Sequence, residues 1–342
     1  MSAFFDFYGL TVRVDSPASA LADEVRRDFT YFARAPQPVR QTIEMHLAPA
    51  PYDQLPALRA SLISPRNVCY RDGARQYLDY FGRGLAIVDA VERRCTIYGE
   101  DADLVHEIAY LYLLSTIGQH LDAAALHRLH ALGVSYRGHG VLLLLPSGGG
   151  KSTMALELLR RPGFLLLSED TPLIDRHGRI HPFPLRLGIR PGEAGEIPEE
   201  YLRTVARMEF DPKTLVDLDY LGDRIGTTVP AAAMLVGERN AGDVAEIVPL
   251  GRPGACDALL KNLVVGLGVY QGIEFVLERG VWQLLAKTGV ALSRTMSGFG
   301  LLRRAPAFRF VLGRNRERNT RCFLEFVDRA FPTAPRSSNG SR

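Results

Sequence analysis

Residues 141–153 constrain this chain more than any other stretch. An apolar run, Val141-Leu142-Leu143-Leu144-Leu145, passes directly into Pro146-Ser147-Gly148-Gly149-Gly150-Lys151-Ser152-Thr153. Met154, Ala155, Leu158 and Leu159 follow at helical spacing, so a strand, a glycine-rich turn and a helix succeed one another. Consecutive glycines let backbone N–H groups converge on phosphate oxygens, and the helix N-terminus adds partial positive charge. In such a turn Lys151 reaches the β- and γ-phosphates and the Ser152 hydroxyl ligates Mg²⁺. The pattern departs from G-x-x-x-x-G-K-[ST] at its first position, where Leu145 replaces glycine. The stretch predicts a nucleoside triphosphate site, with ATP and Mg²⁺ as the expected cofactors. Ser147, Gly148, Gly149, Gly150, Lys151, Ser152 and Thr153 form its loop. The competing reading is a glycine-rich turn without a ligand.

A second apolar run, Leu165-Leu166-Leu167-Ser168, ends in the adjacent acids Glu169 and Asp170. Strands of nucleotide-binding sheets present their carboxyl ends to the ligand. One acid there can hold Mg²⁺ while the other accepts a proton from an attacking hydroxyl. Alternation along a strand sends the two side chains to opposite sides. Both serve one site only if the strand breaks at its tip, which Pro172 favours.

The rest of the chain suggests two domains and a tail. With 342 residues there is enough length for two cores. Residues 1–125 read as an α+β domain: a strand over 4–14, a helix from Ala18 to Arg34, and a strand from Gln41 to Leu47. Short strands at Val68–Tyr70, Arg75–Tyr80, Leu85–Asp89 and Arg94–Tyr98 form an antiparallel meander, followed by an apolar helix over 102–121. Residues 126–331 read as the nucleotide-binding domain, with strands at 129–136, 140–145, 164–168, 171–175, 180–190, 231–236 and 244–249. Its helices are expected at 151–162, 256–268, 281–296 and 318–331. Residues 191–213, rich in Pro, Gly and Glu, suggest a mobile loop or lid. Residues 332–342 suggest a disordered tail.

Composition narrows the setting. Lys+Arg 41 against Asp+Glu 38 leaves a net charge of only +3, which argues against a general nucleic-acid or membrane-surface binder. No run reaches the roughly 18 apolar residues that span a bilayer. The N-terminus lacks a signal-peptide pattern. Cys69, Cys95, Cys256 and Cys322 stand apart, so free thiols in a cytoplasmic protein are expected.

His130, the Ser147–Ser152 loop and the Glu169-Asp170 pair together resemble HPr kinase/phosphorylase and its kinase relatives. In that family a histidine precedes the loop lysine by 21 residues, as His130 precedes Lys151. A paired acid, usually Asp-Asp, follows the loop helix. The likeness covers roughly residues 125–190. It implies an α/β fold with a phosphate-loop-containing, twisted mixed sheet of the HPr kinase and phosphoenolpyruvate carboxykinase type, beside a smaller N-terminal α+β domain. It also implies that Asp170 is the general base, that Lys151 stabilises the transferring phosphoryl group, and that Ser152 binds Mg²⁺ with Glu169 nearby. His130 is then expected near the γ-phosphate.

The family's Leu-Glu-x-Arg-Gly segment has no counterpart here; the nearest stretch, Phe183 to Gly188, carries no acid, and Arg186 or Arg190 is the candidate to meet phosphate instead. The family's C-terminal phosphorolysis segment is absent too. A kinase for a Ser/Thr hydroxyl of a protein or peptide other than HPr therefore fits better, within a peptide-modification pathway as for some relatives. The family often forms oligomers. A kinase for a small hydroxylated molecule stays open, as does a nucleotide-binding regulatory or scaffold module.

Overall fold

In the computed structural model the described residues are 1–145, 150–189, 194, 195, 197–208, 211–264 and 281–332. The first of them alternate, burying Ala3, Phe5 and Phe7 and then Leu10, Val12 and Val14. The expected single strand over 4–14 is a hairpin, β1 (Ser2–Phe7) and β2 (Leu10–Asp15). Tyr8 and Gly9, at φ 55° and 92°, make the two-residue turn that suits the twist of paired strands. Helix α1 (Ser19–Asp28) ends sooner than periodicity suggests. Phe29 and Phe32 turn inward onto Phe7, with ring centroids 5.5 and 4.8 Å away, and the chain pairs with β1 as β3 (Ala33–Arg34).

Strand β4 (Gln41–Leu47) is followed by the meander β5 (Ala60–Ile63), β6 (Val68–Asp72), β7 (Arg75–Asp79), β8 (Gly84–Asp89) and β9 (Arg94–Gly99). Together they form a nine-stranded sheet in the order β3-β1-β2-β4-β9-β8-β7-β6-β5. It is antiparallel except where β4 lies parallel to β2 and to β9. Helix α2 (Ala102–Ala123) is capped by Asp101, whose carboxylate accepts from the Asp103 and Leu104 amides. It packs so close to β9 that a β-carbon on Gly99 would stand 2.9 Å from Val105.

Of the strand expected over 129–136, β11 (Leu132–Tyr136) forms, and a short β10 (His127–Arg128) precedes the range. The chain continues through β12 (His139–Leu144), α3 (Lys151–Leu159), β13 (Phe164–Ser168), β14 (Leu173–Ile174) and β15 (Arg179–His181). Strands β16 (Leu187–Ile189), β17 (Leu202–Val205) and β18 (Lys213–Val216) form a separate antiparallel sheet, of which β17 and the first residue of β18 fall in the stretch 191–213 read as a loop. Residues 191–193, 196, 209 and 210 of that stretch lie outside the described residues, as does residue 190 before it. Then come β19 (Val229–Arg239), β20 (Glu246–Pro249), α4 (Arg252–Leu259), α5 (Val281–Arg304), β21 (Ala307–Leu312) and α6 (Arg316–Ala330). Residues 265–268 of the expected helix and 333–342 of the expected tail are outside the described residues.

The second sheet runs β10-β14-β15-β19-β12-β11-β13, with β21 on β19 and β20 on β21. Strand β12 is interior, parallel to β19 and antiparallel to β11. The class is mixed α/β. Leu142, Leu144, Leu167 and Met234 of this sheet share a buried core with Ala255 and Leu259 of α4 and Leu301 of α5. Among the described residues no helix is long and apolar enough to cross a membrane. The four cysteines are free thiols.

Two compact units divide the chain. Among the described residues the first comprises Met1–Ala124, Leu185–Gly222 and 281–287, and the second comprises Ala125–Pro184, 223–264 and 288–332. Segment 185–222, read from sequence as part of the nucleotide-binding domain, thus counts with the N-terminal unit, because its polar anchors are Asp28 and Glu24 of α1.

Helix α5 meets the turn between β14 and β15 backbone to backbone. A β-carbon on Gly300 would collide with the Arg176 carbonyl oxygen, and one on Gly178 would stand 2.6 Å from the Gly300 carbonyl oxygen. Helix propensity alone makes Gly300→Ala favourable by about 1 kcal/mol. The collision reverses the sign, and a net loss of about 1–3 kcal/mol is expected. A urea unfolding midpoint that rises in Gly300→Ala would contradict the close packing.

Candidate functional site

The site is assembled where β12 hands over to α3. Pro146, Ser147, Gly148 and Gly149 lie outside the described residues. Gly150 caps α3 in the left-handed conformation, φ 95°, which only glycine adopts without strain. Its carbonyl accepts from the Met154 amide at 2.9 Å, so the helix begins at Lys151 with Ser152 and Thr153 in its first turn. Leu145, standing in the place of the loop's first glycine, is buried and covers Gly237 of neighbouring β19, where a β-carbon would run into its side chain. That glycine on the adjacent strand accommodates the departure from the motif.

Lys151 is only 6% exposed. Its ammonium donates to the Leu145 carbonyl at 3.0 Å and to His130 Nε2 at 2.9 Å, and Asp170 Oδ1 lies 3.4 Å away. An ammonium has only donors, so His130 Nε2 must accept and the ring proton sits on Nδ1. Nδ1 faces Asp170 Oδ1 at 3.2 Å, but misaligned, so this buried nitrogen has no hydrogen-bond partner among the described residues. Ser152 Oγ donates to Glu169 Oε1 at 2.6 Å.

Backbone pairing holds the histidine and the acids together. The Leu129 amide donates to the Pro172 carbonyl and the Ala131 amide to the Asp170 carbonyl, each at 3.0 Å. Gly133 leaves room for Pro172, whose Cβ would be 2.8 Å from a β-carbon there. Strand β13 stops at Ser168, and the Ser168 hydroxyl accepts from the Thr171 amide at 3.1 Å. The strand therefore ends before its two acids. Both carboxylates reach the α3 N-terminus, Glu169 at Ser152 and Asp170 at Lys151.

Burial pushes the His130 imidazole below its ordinary 6.5, with Lys151 acting the same way and Asp170 opposing. The neutral ring accepts from Lys151; a protonated one cannot. Stability from this contact is complete above about pH 6.5 and is lost as pH falls from there through the lowered value. The midpoint of urea unfolding should therefore carry an acid limb in that window. His130→Gln keeps an acceptor that does not titrate, so the limb should flatten; an unchanged profile would exclude His130 as its source.

Arg186 has another engagement. Its guanidinium donates to both Asp28 oxygens, at 2.8 and 2.9 Å, and its carbon lies 3.9 Å from the Tyr110 ring centroid, all within the first unit. A planar fork facing a buried carboxylate and an aromatic face satisfies it there, not at the loop. Arg190 lies outside the described residues. Sequence reasoning passed over Arg239 at the end of β19. One of its guanidinium nitrogens lies 3.5 Å from where a Gly150 β-carbon would stand, beside the loop. Only the parallel pairing of β19 with β12 brings it there, and no motif announces it.

Among the described residues no three His, Cys, Asp or Glu side chains gather as a metal site, and the oxygens suited to a hard cation are the Ser152–Glu169 pair. Comparison with protein-family models and with curated protein sequences finds no match.

Proposed function

We propose that this chain is an ATP-dependent kinase that transfers the γ-phosphoryl group to a hydroxyl, with Ser or Thr of a protein or peptide as the favoured acceptor. The observation that carries the reading is the convergence of one buried ammonium, one neutral histidine and two carboxylates on the N-terminus of α3. Phosphoryl transfer asks a protein mainly for positioning and charge stabilisation. Lys151 supplies the cation. His130 holds Lys151 from one side and keeps a buried N–H, at Nδ1, without a partner among the described residues.

Asp170, with 40% of its side chain exposed, is accessible to an incoming alcohol. Its carboxylate takes the hydroxyl proton as the alcohol oxygen forms a bond to the γ-phosphorus, and the bond from that phosphorus to ADP breaks. Ser152 and Glu169, oxygen donors of the kind Mg²⁺ takes, would hold the metal, which neutralises phosphate charge when bound. The same reading takes the second unit as a phosphate-loop sheet of the HPr kinase and phosphoenolpyruvate carboxykinase type. In its support, an interior strand parallel to its neighbour β19 leads into the glycine loop. ATP as donor fits a cytoplasmic setting.

The test is transfer of label from γ-labelled ATP to candidate peptides, hydroxylated metabolites and proteins. Asp170→Asn preserves shape but removes the base, so ATP–Mg²⁺ binding should hold while transfer slows by about two orders of magnitude. Glu169→Gln should act mainly by raising the Mg²⁺ requirement. Exchanged phenotypes would reverse the two roles. Full transfer activity in both variants would remove the two carboxylates from the mechanism, and wild type that binds ATP but transfers label to no acceptor would leave a nucleotide-binding module in place of a kinase.

A further inference from the structure

Beside the loop, within the second unit, lies a cavity of about 540 Å³. That is inside the range of about 300–1,000 Å³ common for small-ligand sites. Its floor is aliphatic, formed by Leu144 and Leu145 at the end of β12 and Val236 at the end of β19. Its rim carries Glu238, paired with Arg309 at 3.4 Å, and Asp257, paired with Lys261 at 2.7 Å. Asn262 adds an amide: its nitrogen donates to the Ala258 carbonyl at 2.8 Å. His130 lines one end, and Asp170, on the other side of His130, does not line it.

We infer that this cavity receives the nucleoside half of the nucleotide, the base lying on the aliphatic floor and the ribose at the charged rim, beside Glu238 and Asp257. The inference rests on the kinase reading and adds a direction to it. The sheet places β19, β12, β11 and β13 side by side, so the end of β12 and the start of α3 at Lys151 stand between the acids that follow β13 and the cavity over β19. Attacking and leaving oxygens lie on opposite sides of the transferring phosphorus. An alcohol that gives its proton to Asp170 approaches from the β13 side, and the departing nucleotide then extends over β19.

Chemistry agrees with geometry. Each rim carboxylate is paired with a cation, so the rim offers a polyphosphate no net positive charge, while Glu238 and Asp257 suit ribose hydroxyls, as acids do in dinucleotide sites. The phosphates stay with Lys151, and Arg239 flanks the loop on the cavity side. The aliphatic floor matches a flat, uncharged base, with the Asn262 amide able to pair with its edge.

The experiment compares ATP with inorganic tripolyphosphate, each with Mg²⁺, by calorimetric titration of the full chain. ATP should bind wild type at least about tenfold more tightly, because tripolyphosphate makes none of the cavity's contacts. Two variants test the cavity: the double substitution Glu238→Gln with Asp257→Asn, on exposed positions, and Gly254→Leu. The latter points a side chain inward from α4, where the nearest atom is the mobile end of Leu250, 2.8 Å from its β-carbon. Each should lose about tenfold in ATP affinity and nothing for tripolyphosphate, with an unchanged melting temperature. Lys151→Ala should weaken both ligands. Unchanged ATP affinity in both cavity variants overturns this inference alone, and a raised acceptor KM at unchanged ATP affinity would give the cavity to the acceptor instead. Wild type that binds neither ligand overturns the kinase reading and the inference with it.

Discussion

Lys151→Ala is expected to cut phosphoryl transfer by about 10³-fold and to weaken ATP binding. The ammonium is 6% exposed, so it acts where water screens it poorly. Its contacts to the Leu145 carbonyl, His130 and Asp170 hold it at the helix N-terminus before any ligand arrives, so it need not reorganise during reaction. Alanine leaves that carbonyl and His130 Nε2 without their donor, and some loss of thermal stability should accompany the loss of rate. Lys151→Met, which retains bulk without charge, separates the two effects. The measurement is single-turnover transfer from γ-labelled ATP, with circular dichroism melting on the same samples. A folded Lys151→Ala protein that transfers phosphate at the wild-type rate would remove the phosphate-loop reading.

Asp28→Ala should destabilise the first unit by about 3–5 kcal/mol, the usual result of removing one partner from a buried ionic cluster. Asp28 is fully buried at the end of α1. It accepts from Arg186 and Arg203, both of segment 185–222, and contacts His106 Nε2 of α2 at 2.9 Å. Arg203 also reaches Asp217 at 2.8 Å and Glu24 at 2.7 Å. Alanine would leave guanidinium charge facing an empty apolar space.

Burial alone raises the Asp28 carboxyl, but Arg186, the His106 hydrogen bond and charge, and Arg203 outweigh it and hold it well below its ordinary 3.8. A depressed carboxylate contributes stability that is present above pH 3.8 and is lost as pH falls towards the folded-state value. The gap between wild type and Asp28→Asn in urea midpoint should therefore be widest near neutrality and narrow below about pH 4. A gap that does not change between pH 7 and pH 3 would show that the carboxylate's charge is not what holds segment 185–222.

The elements that local pattern could announce are those with a short-range cause. The alternation in Gln41–Leu47 and the apolar run in Phe164–Ser168 give β4 and β13 with the expected ends, since a two-residue period marks a strand with one buried face and an unbroken apolar run one that is covered on both. The Val141–Leu145 run before the glycines signals an interior strand, because only a strand covered on both faces is apolar without interruption. Elements that depend on distant partners were hidden. Strand β21, Ala307–Leu312, has no turn signal pointing to β19, yet it pairs along Met234–Arg239. Strand β17 lies in a stretch rich in proline, glycine and glutamate and is held by β18, which pairs in turn with β16.

The candidate site divides in the same way. The sequence by itself determined the helix that starts at Lys151 and the two acids after an apolar strand, because each follows from residues adjacent in the chain. Tertiary structure decided how the break that Pro172 favours is used, so that Glu169 meets Ser152 while Asp170 meets Lys151 and faces His130. It also put Arg239 beside Gly150 through the pairing of β19 with β12, and bound Arg186 to Asp28 across 158 residues of chain. Periodicity reports which face of an element is buried. It carries no record of which distant charge a buried guanidinium will find, and that choice is made when the elements pack.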